Sequence, residues 1–398
     1  MNSLKDRIKS LAAEYLQETI NIRRHFHKNP ELSFKEFETA DFIAAKLNEL
    51  GIPFEEKVAQ TGIVALIKGK DPDRKTIALR ADMDALPISE KNRNEYCSIK
   101  EGVMHACGHD AHMASLLGAA KILNEINDEF EGTIKLIFQP SEESYPGGAK
   151  VMIEEGVLED PAPVIIYGQH VFPELEVGCV GMRPGKYMAS TDEVFITVKG
   201  KGGHAAIPDK VIDPVLISAH IVIALQQIVS RKSSPVMPTV VSFGKISSDG
   251  KTNVIPDEVK LEGIIRTFDE NWRSRIKDEI KKIACGIAES MGASCDVFID
   301  QGYPAVVNDE ALSSRSWDYA IEYLGNEKVK ELDMRMTAED FSYYAQKIPA
   351  CFFRLGTRNE SKGITSNLHS ATFDIDETSL KTGMGIMAWL AVCELAHK

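Results

Sequence analysis

Apolar residues recur along this chain in two rhythms, and the switch between them predicts where helices give way to strands. From Leu4 to about Lys28, residues Ile8, Leu11, Ala12, Tyr15, Leu16 and Ile20 share one stripe at helical spacing. Asn29-Pro30 ends that run. Residues 37–50 predict a second helix, closed by Gly51 in a left-handed cap. Short β-rich runs follow at 63–67 and 76–81, the second leading into Asp82 and Asp84. A helix is predicted over about 111–125, then a strand over 132–138 that runs into Gln139-Pro140-Ser141-Glu142-Glu143. A buried strand over 164–168 delivers His170. Strands alternating with helices imply an α/β fold with an open, mostly parallel central sheet flanked by helices, whose sites sit at the carboxyl ends of strands.

The middle of the chain changes pattern. Strands over 192–199, 239–246, 259–268 and 295–300 are interleaved with helices over 214–228 and 271–291. That β-α-β-β-α-β order is the split, ferredoxin-like arrangement. It predicts a small domain over 187–302, inserted in a larger one made of 1–186 and 303–398. Asp71-Pro72-Asp73-Arg74 and Glu90-Lys91-Asn92-Arg93-Asn94 look like exposed turns.

The candidate chemistry concentrates around Met104-His105-Ala106-Cys107-Gly108-His109-Asp110, where Cys107 and His109 form a metal-ligand pair. Glu143, His170 and His369 supply the partners such a pair needs. A thiolate, imidazoles and a carboxylate suit zinc, or manganese if oxygen ligands dominate, with cobalt and nickel as alternatives. Five candidate ligands exceed what one open tetrahedral site uses, so two divalent ions per chain are expected, with Cys107 as a plausible bridge. Adjacent side chains diverge, so Glu143 can bind metal while Glu142 acts as general base on the attacking water. Asp82 and Asp84 are expected to orient the imidazoles from behind. His25 and His27 are assigned only to the end of the first helix, His112 to a supporting position, and His220 to the buried side of its helix.

Composition narrows the class. A chain of 398 residues with 43% hydrophobic and 26% charged residues is ordinary globular protein, long enough for two domains. A net charge of −13 argues against nucleic-acid binding and gives no reason to expect an anionic membrane surface. The seven scattered cysteines are no disulfide framework, and the N-terminus carries no apolar signal core, so a cytoplasmic protein is expected. No uninterrupted run of eighteen apolar residues predicts a membrane span.

Together these residues resemble the aminoacylase and carboxypeptidase family of zinc-type amidohydrolases, metallopeptidase family twenty, and within it the subfamily of N-acyl-amino-acid, hippurate and auxin-conjugate hydrolases. The resemblance rests on Arg23 to Phe34, Arg80-Ala81-Asp82-Met83-Asp84-Ala85-Leu86-Pro87, Met104 to His112, Gln139 to Glu143 and Gly168-Gln169-His170. It continues through Gly200 to Pro208, Asn253-Val254-Ile255-Pro256, Glu339-Asp340-Phe341 and Asn367-Leu368-His369. It implies a two-metal hydrolase with ligands at Cys107, His109, Glu143, His170 and His369 and a base at Glu142. Asp82 stands where other branches of the family carry a ligand histidine, so their scheme does not extend to it. Ser141 replaces a common alanine.

The resemblance also implies that the inserted domain is a lid and a dimerisation surface. Its Gly-Gly-His histidine, here His204, would reach the active site of the other subunit, with the flanking glycines giving it freedom to approach the oxyanion. Asn253 and Arg266 match positions that grip the substrate's carboxylate, a task for which Arg suits a planar hold. The expected reaction is hydrolysis of an N-acyl amino acid to a carboxylic acid and a free amino acid by a homodimer, with higher assembly left open. A carboxypeptidase or dipeptidase of the same fold is the alternative. A non-catalytic metal- or ligand-binding protein is disfavoured by Glu142, and a closed structural zinc site by the single cysteine in the ligand set.

Overall fold

Four strands of near-continuous apolar sequence lie side by side and parallel in the computed structural model, which describes residues 2–397. They are Thr133–Gln139, Thr76–Asp82, Ile166–Glu176 and Ala350–Arg358, in that spatial order. Nearly every residue in them is buried on both faces, as a parallel sheet covered by helices requires. Antiparallel Gly62–Lys68 and Phe54–Val58 extend one edge, and Val180–Met182 with Val329–Glu331 extend the other, making eight strands. The helices His109–Glu125 and Ser379–Ala396 are apolar almost all round and fill the core against this sheet.

The chain divides into two compact units. The first takes residues up to Gly185, Val307–Asp333 and the chain from Asp340; the second is Lys186–Val306 with Met334–Glu339. The second unit holds an antiparallel sheet in the order Thr239–Ser247, Glu258–Thr267, Asp192–Lys199, Ser294–Gln301. Val194, Ile196 and Val198 alternate inward from one strand and meet Ile217, Ile221 and Leu225 of helix Pro214–Gln227. Trp272, Ile276 and Ile280 of helix Glu270–Ser290 complete that core. Asp213 caps the first of these helices, accepting from Val215 N and Leu216 N, and Asp269 the second, accepting from Trp272 N.

Several elements differ from the sequence reading. The long first helix is two helices, Asn2–Glu14 and Leu16–Lys28, broken at Tyr15. The apolar stripe runs through the break, because Ile8, Leu11, Ala12 and Ile20 all reach the same core. The strand expected over 164–168 runs instead from Ile166 to Glu176, so His170 lies inside it. On one side it pairs with Thr76–Asp82 only as far as Arg80 opposite Gly168, whereas Ala350–Arg358 accompanies it past His170. His220, expected on a buried helix side, is exposed. That helix also exposes Val215, Leu216 and Ile223. With its continuation Ile228–Lys232 it is long and apolar enough to cross a bilayer, yet its inner side is the core of the second unit.

Candidate metal centre

The candidate ligands converge because three chain reversals are built to bring them together. Gly108, between Cys107 and His109, takes φ 87° and opens the helix at His109, two residues earlier than expected. Its carbonyl accepts from Ala111 N at 2.9 Å and His112 N at 3.2 Å. A Cβ there would meet Val171 Cγ2 at 2.4 Å, so only glycine fits. Ser141 turns at φ 49° immediately before Glu142 and Glu143, and His369 sits at φ 59°. Each of these two non-glycine positions costs about 1–2 kcal/mol, which the surroundings must offset. His369 is tied down by its own N–H, which donates to the Ala106 carbonyl at 2.8 Å.

The result is one cluster. Cys107 Sγ lies 3.4 Å from His170 Nε2 and 3.4 Å from His369 Nε2, and His369 Nε2 is 3.2 Å from Glu143 Oε1. Three overlapping sets each gather their ligand atoms within 4.8 Å: Cys107, His109 and His170; Cys107, Glu143 and His369; His109, Glu142 and Glu143. Cys107, His109 and Glu143 each belong to two of them, so the sets share ligands and form one continuous cluster. The cluster is graded in exposure: Cys107, His109, His170 and Glu142 are buried, Glu143 is intermediate, and the His369 side chain is 52% exposed. A structural metal site is closed, whereas this one opens on the His369 side.

Asp82 and Asp84 brace the cluster from below. His109 Nδ1 donates to the Asp84 carbonyl at 2.8 Å, which leaves Nε2 buried with no hydrogen-bond partner among the described residues, 3.7 Å from Asp82 Oδ2. An anchored imidazole with a bare inward nitrogen is the arrangement metal-ligating histidines adopt. His170 is oriented the same way, with Nδ1 2.7 Å from the Val171 carbonyl oxygen. The Asp84 carboxylate also accepts the backbone N–H of Glu142 and of Glu143, each at 3.0 Å. His112, absent from the ligand set, is held by Asp82 Oδ1 at 2.6 Å and accepts from Val171 N at 2.8 Å.

The charges in this pocket do not balance. Burial pushes the Cys107 thiol well above the ordinary range, and Glu143, Glu142 and Asp82 push it further. Burial opposes charge on His109 too, but Asp82 and Asp84 prevail and raise it to about 10. Asp82 stays well below the usual carboxylate range despite burial, because His109, Arg80 and His112 surround it. A pocket with surplus carboxylate, a buried thiol and an unpartnered imidazole nitrogen fits divalent cations, which favour the thiolate outright.

The other histidines divide differently from expectation. His27 does more than end a helix: it is buried, 2.7 Å from Asp110 and 3.2 Å from Glu90. Arg23 joins it on Asp110 at 2.7 Å. Glu90 is therefore no mere exposed turn residue; it also accepts from Ser98 N at 2.7 Å. This network sits behind the His109 helix start, and its partners lie too far apart in sequence for any periodicity to reveal.

In the second unit, His204 and Asn253 meet on a two-stranded ribbon. His204 pairs with Val254, and Ala205 N donates to the Asn253 carbonyl at 3.1 Å. Both residues are exposed. Arg266 stands near the end of Glu258–Thr267, opposite Val240. The glycines before His204 are not a loose hinge, as the sequence suggested. Gly200 N donates to Asp257 O and Gly202 N to Asp257 Oδ1, both at 2.8 Å. A Cβ on Gly200 would lie 2.1 Å from the Ile212 carbonyl oxygen, so close approach of backbones explains the glycine there.

A sheet with candidate ligands gathered beside it and an imidazole nitrogen unpartnered among thiol and carboxylates defines a metal-site α/β protein. The pattern of Peptidase family M20/M25/M40 matches residues 78–392, and the chain belongs to that family. It is 43% identical over 393 residues to thermostable carboxypeptidase 2 of Saccharolobus solfataricus, covering 98% of each chain. It is 40% identical over 364 residues to N-acetyl-L-cysteine deacetylase of Bacillus subtilis, covering 92% of this chain and 85% of that one. The crystal structure of a dinuclear metal-binding peptidase of family M20 from Bacillus subtilis superposes with a TM-score of 0.85 at 35% identity, covering 97% of this chain and 99% of that one.

Proposed function

We propose that this protein is a metal-dependent amidohydrolase that cleaves N-acyl amino acids to a carboxylic acid and a free amino acid. The observation that carries the reading is the convergence of Cys107, His109, Glu143, His170 and His369 beside Glu142. Bound by those five residues, two divalent ions, zinc or manganese, would polarise the amide carbonyl and acidify water. Glu142 takes the proton of the attacking water and passes it to the departing nitrogen. Asp84 holds Glu142 and Glu143 through their amides, and Asp82 steadies the imidazoles around them.

The second unit completes the site as a ferredoxin-like lid. His204, supplied by a second copy of the chain, donates a hydrogen bond to the tetrahedral oxyanion. Asn253 and Arg266 grip the carboxylate of the substrate. The exposed apolar side of helix Pro214–Gln227 supports a homodimer through this unit, since Val215, Leu216 and Ile223 stand in solvent otherwise. Seven unpaired cysteines support a cytoplasmic setting.

Carboxypeptidase activity is the second reading, favoured by the 43% identity to a thermostable carboxypeptidase. The two share bond chemistry and differ in the acyl pocket. The test is a panel of N-acyl amino acids and dipeptides with metal-reconstituted enzyme, alongside metal analysis. We expect about two ions per chain, complete loss of hydrolysis on strong chelation, and faster turnover of N-acyl amino acids. A single tightly held ion, with activity indifferent to removal of the rest, contradicts the two-metal reading.

A further inference from the structure

Three consecutive backbone N–H groups, those of Ser141, Glu142 and Glu143, point at two buried carboxylates. Asp84 takes the second and third. The first goes to Glu36, a residue in a different part of the chain: Ser141 N donates to Glu36 Oε1 at 2.9 Å. Glu36 is fully buried and stands at the start of helix Phe37–Glu49, where its side chain makes no capping bond to that helix. Instead its Oε1 also accepts from Phe34 N at 3.0 Å, and its Oε2 accepts from Thr61 Oγ1 at 2.7 Å. Ser33, next to Phe34, donates its hydroxyl to Asp84 Oδ2 at 2.6 Å. The 33–36 segment thus clamps both carboxylates that hold the turn.

The turn needs holding. Ser141 keeps a left-handed backbone that a residue with a Cβ rarely adopts, and Glu142 is the next residue. A buried amide without an acceptor is costly, so the Glu36 oxygen favours the one backbone geometry in which Ser141 N reaches it. We propose that Glu36 is a positioning residue for the hydrolytic reaction: it locks the Ser141 turn and so fixes where the Glu142 carboxylate stands. The proposal rests on Glu142 being the general base. Among the described residues Glu36 makes no hydrogen bond to a candidate ligand side chain. Cys107, His109, His170 and His369 lie outside the turn it locks, so removing it should displace the base while those ligands keep the metal centre.

The test uses full-length holoenzyme with Glu36→Leu, Glu36→Asp and Glu36→Gln, read by kcat, KM, metal content and amide hydrogen exchange across 139–144. Gln keeps an acceptor at the Oε1 position; Leu removes it; Asp keeps a carboxyl group but falls one methylene short. Leu and Asp are expected to lower kcat at least about tenfold, with KM within about threefold and metal content unchanged. Exchange across 139–144 should accelerate at least about tenfold in both, while Gln restores most of kcat and of the protection. Should the Leu variant fail to fold, the Asp and Gln pair carries the same contrast. Unchanged exchange overturns the proposal, as does faster exchange with kcat held, or loss of metal in parallel with kcat. Glu142→Gln measured alongside separates the two readings: if it keeps its activity, the general-base assignment fails, whereas the exchange result judges the lock by itself.

Discussion

Two regions of this molecule carry candidate chemistry, and they are built in opposite ways. Around Cys107 and His109 the polar groups are buried, and their backs are fixed by carboxylates or carbonyls. Around His204 and Asn253 the polar groups stand in solvent on a short ribbon, and among the described residues the His204 ring accepts a hydrogen bond from the neighbouring Ala206 N at 3.1 Å and makes no other. An oxyanion donor is worth much in a site that excludes water and little in open solvent. The buried centre therefore accounts for its own geometry, whereas the exposed ribbon calls for something to cover it. A second copy of the chain is the covering partner in our reading.

The sharpest way to break that contrast is to remove the ribbon's imidazole. His204→Ala should lower kcat by roughly two to three powers of ten while both ions stay bound, because one oxyanion donor is lost and no ligand. Mixing His204→Ala chains with Glu142→Gln chains should then regenerate activity, since a heterodimer holds one site with both groups intact. Verified heterodimers as inactive as their parents would place His204 within its own chain's site or outside catalysis altogether.

A substitution beneath the buried centre should act on the metal. Asp84→Asn turns an N–H donor toward the Glu142 and Glu143 amides, so one of those bonds is lost. Metal affinity should fall about ten- to a hundredfold, as measured by competition with a chromophoric chelator. Affinity unchanged would mean that the ligands need no such bracing.

The smallest expected effect concerns pH. Burial, with Asp84 nearby, raises the Glu36 carboxyl from 4.5 to about 7. A folded value above the unfolded one means the protonated form stabilises the fold. That contribution is fully present below about 4.5 and is lost as the pH rises through about 7. The span corresponds to about 3 kcal/mol. Glu36→Gln should flatten the stability profile between about pH 5 and pH 8 by that order, as measured by denaturant unfolding of the metal-free protein. An unaltered profile would show that Glu36 titrates near its ordinary value.

Much of the centre was legible because its parts follow local rules. Cys107 and His109 are two residues apart across a glycine, Glu142 and Glu143 follow a fully buried strand, and Asp82 ends another with Asp84 two residues beyond. Strand and helix rhythms placed most of the elements they predicted to within a residue or two, as with Asp192–Lys199 and Glu270–Ser290, but named none of those beyond residue 302. What escaped depends on pairings between distant segments. The extension of a strand through His170 depends on Ala350–Arg358 beside it. The tie of His27 to Asp110 and that of Glu36 to Ser141 join residues 83 and 105 positions apart. The exposure of His220 was hidden by a helix apolar on both sides. No window of sequence contains such information, since burial and partnership are properties of the folded chain.

The central claim is that Glu142 works on the proton while Glu143 holds metal, and paired substitutions test it most directly. Metal content and kcat should be measured for Glu142→Gln and Glu143→Gln side by side. Glu142→Gln is predicted to keep its ions and lose at least about a hundredfold in kcat. Glu143→Gln is predicted to lose metal. Near-normal kcat in Glu142→Gln, or loss of metal from it, would contradict the account.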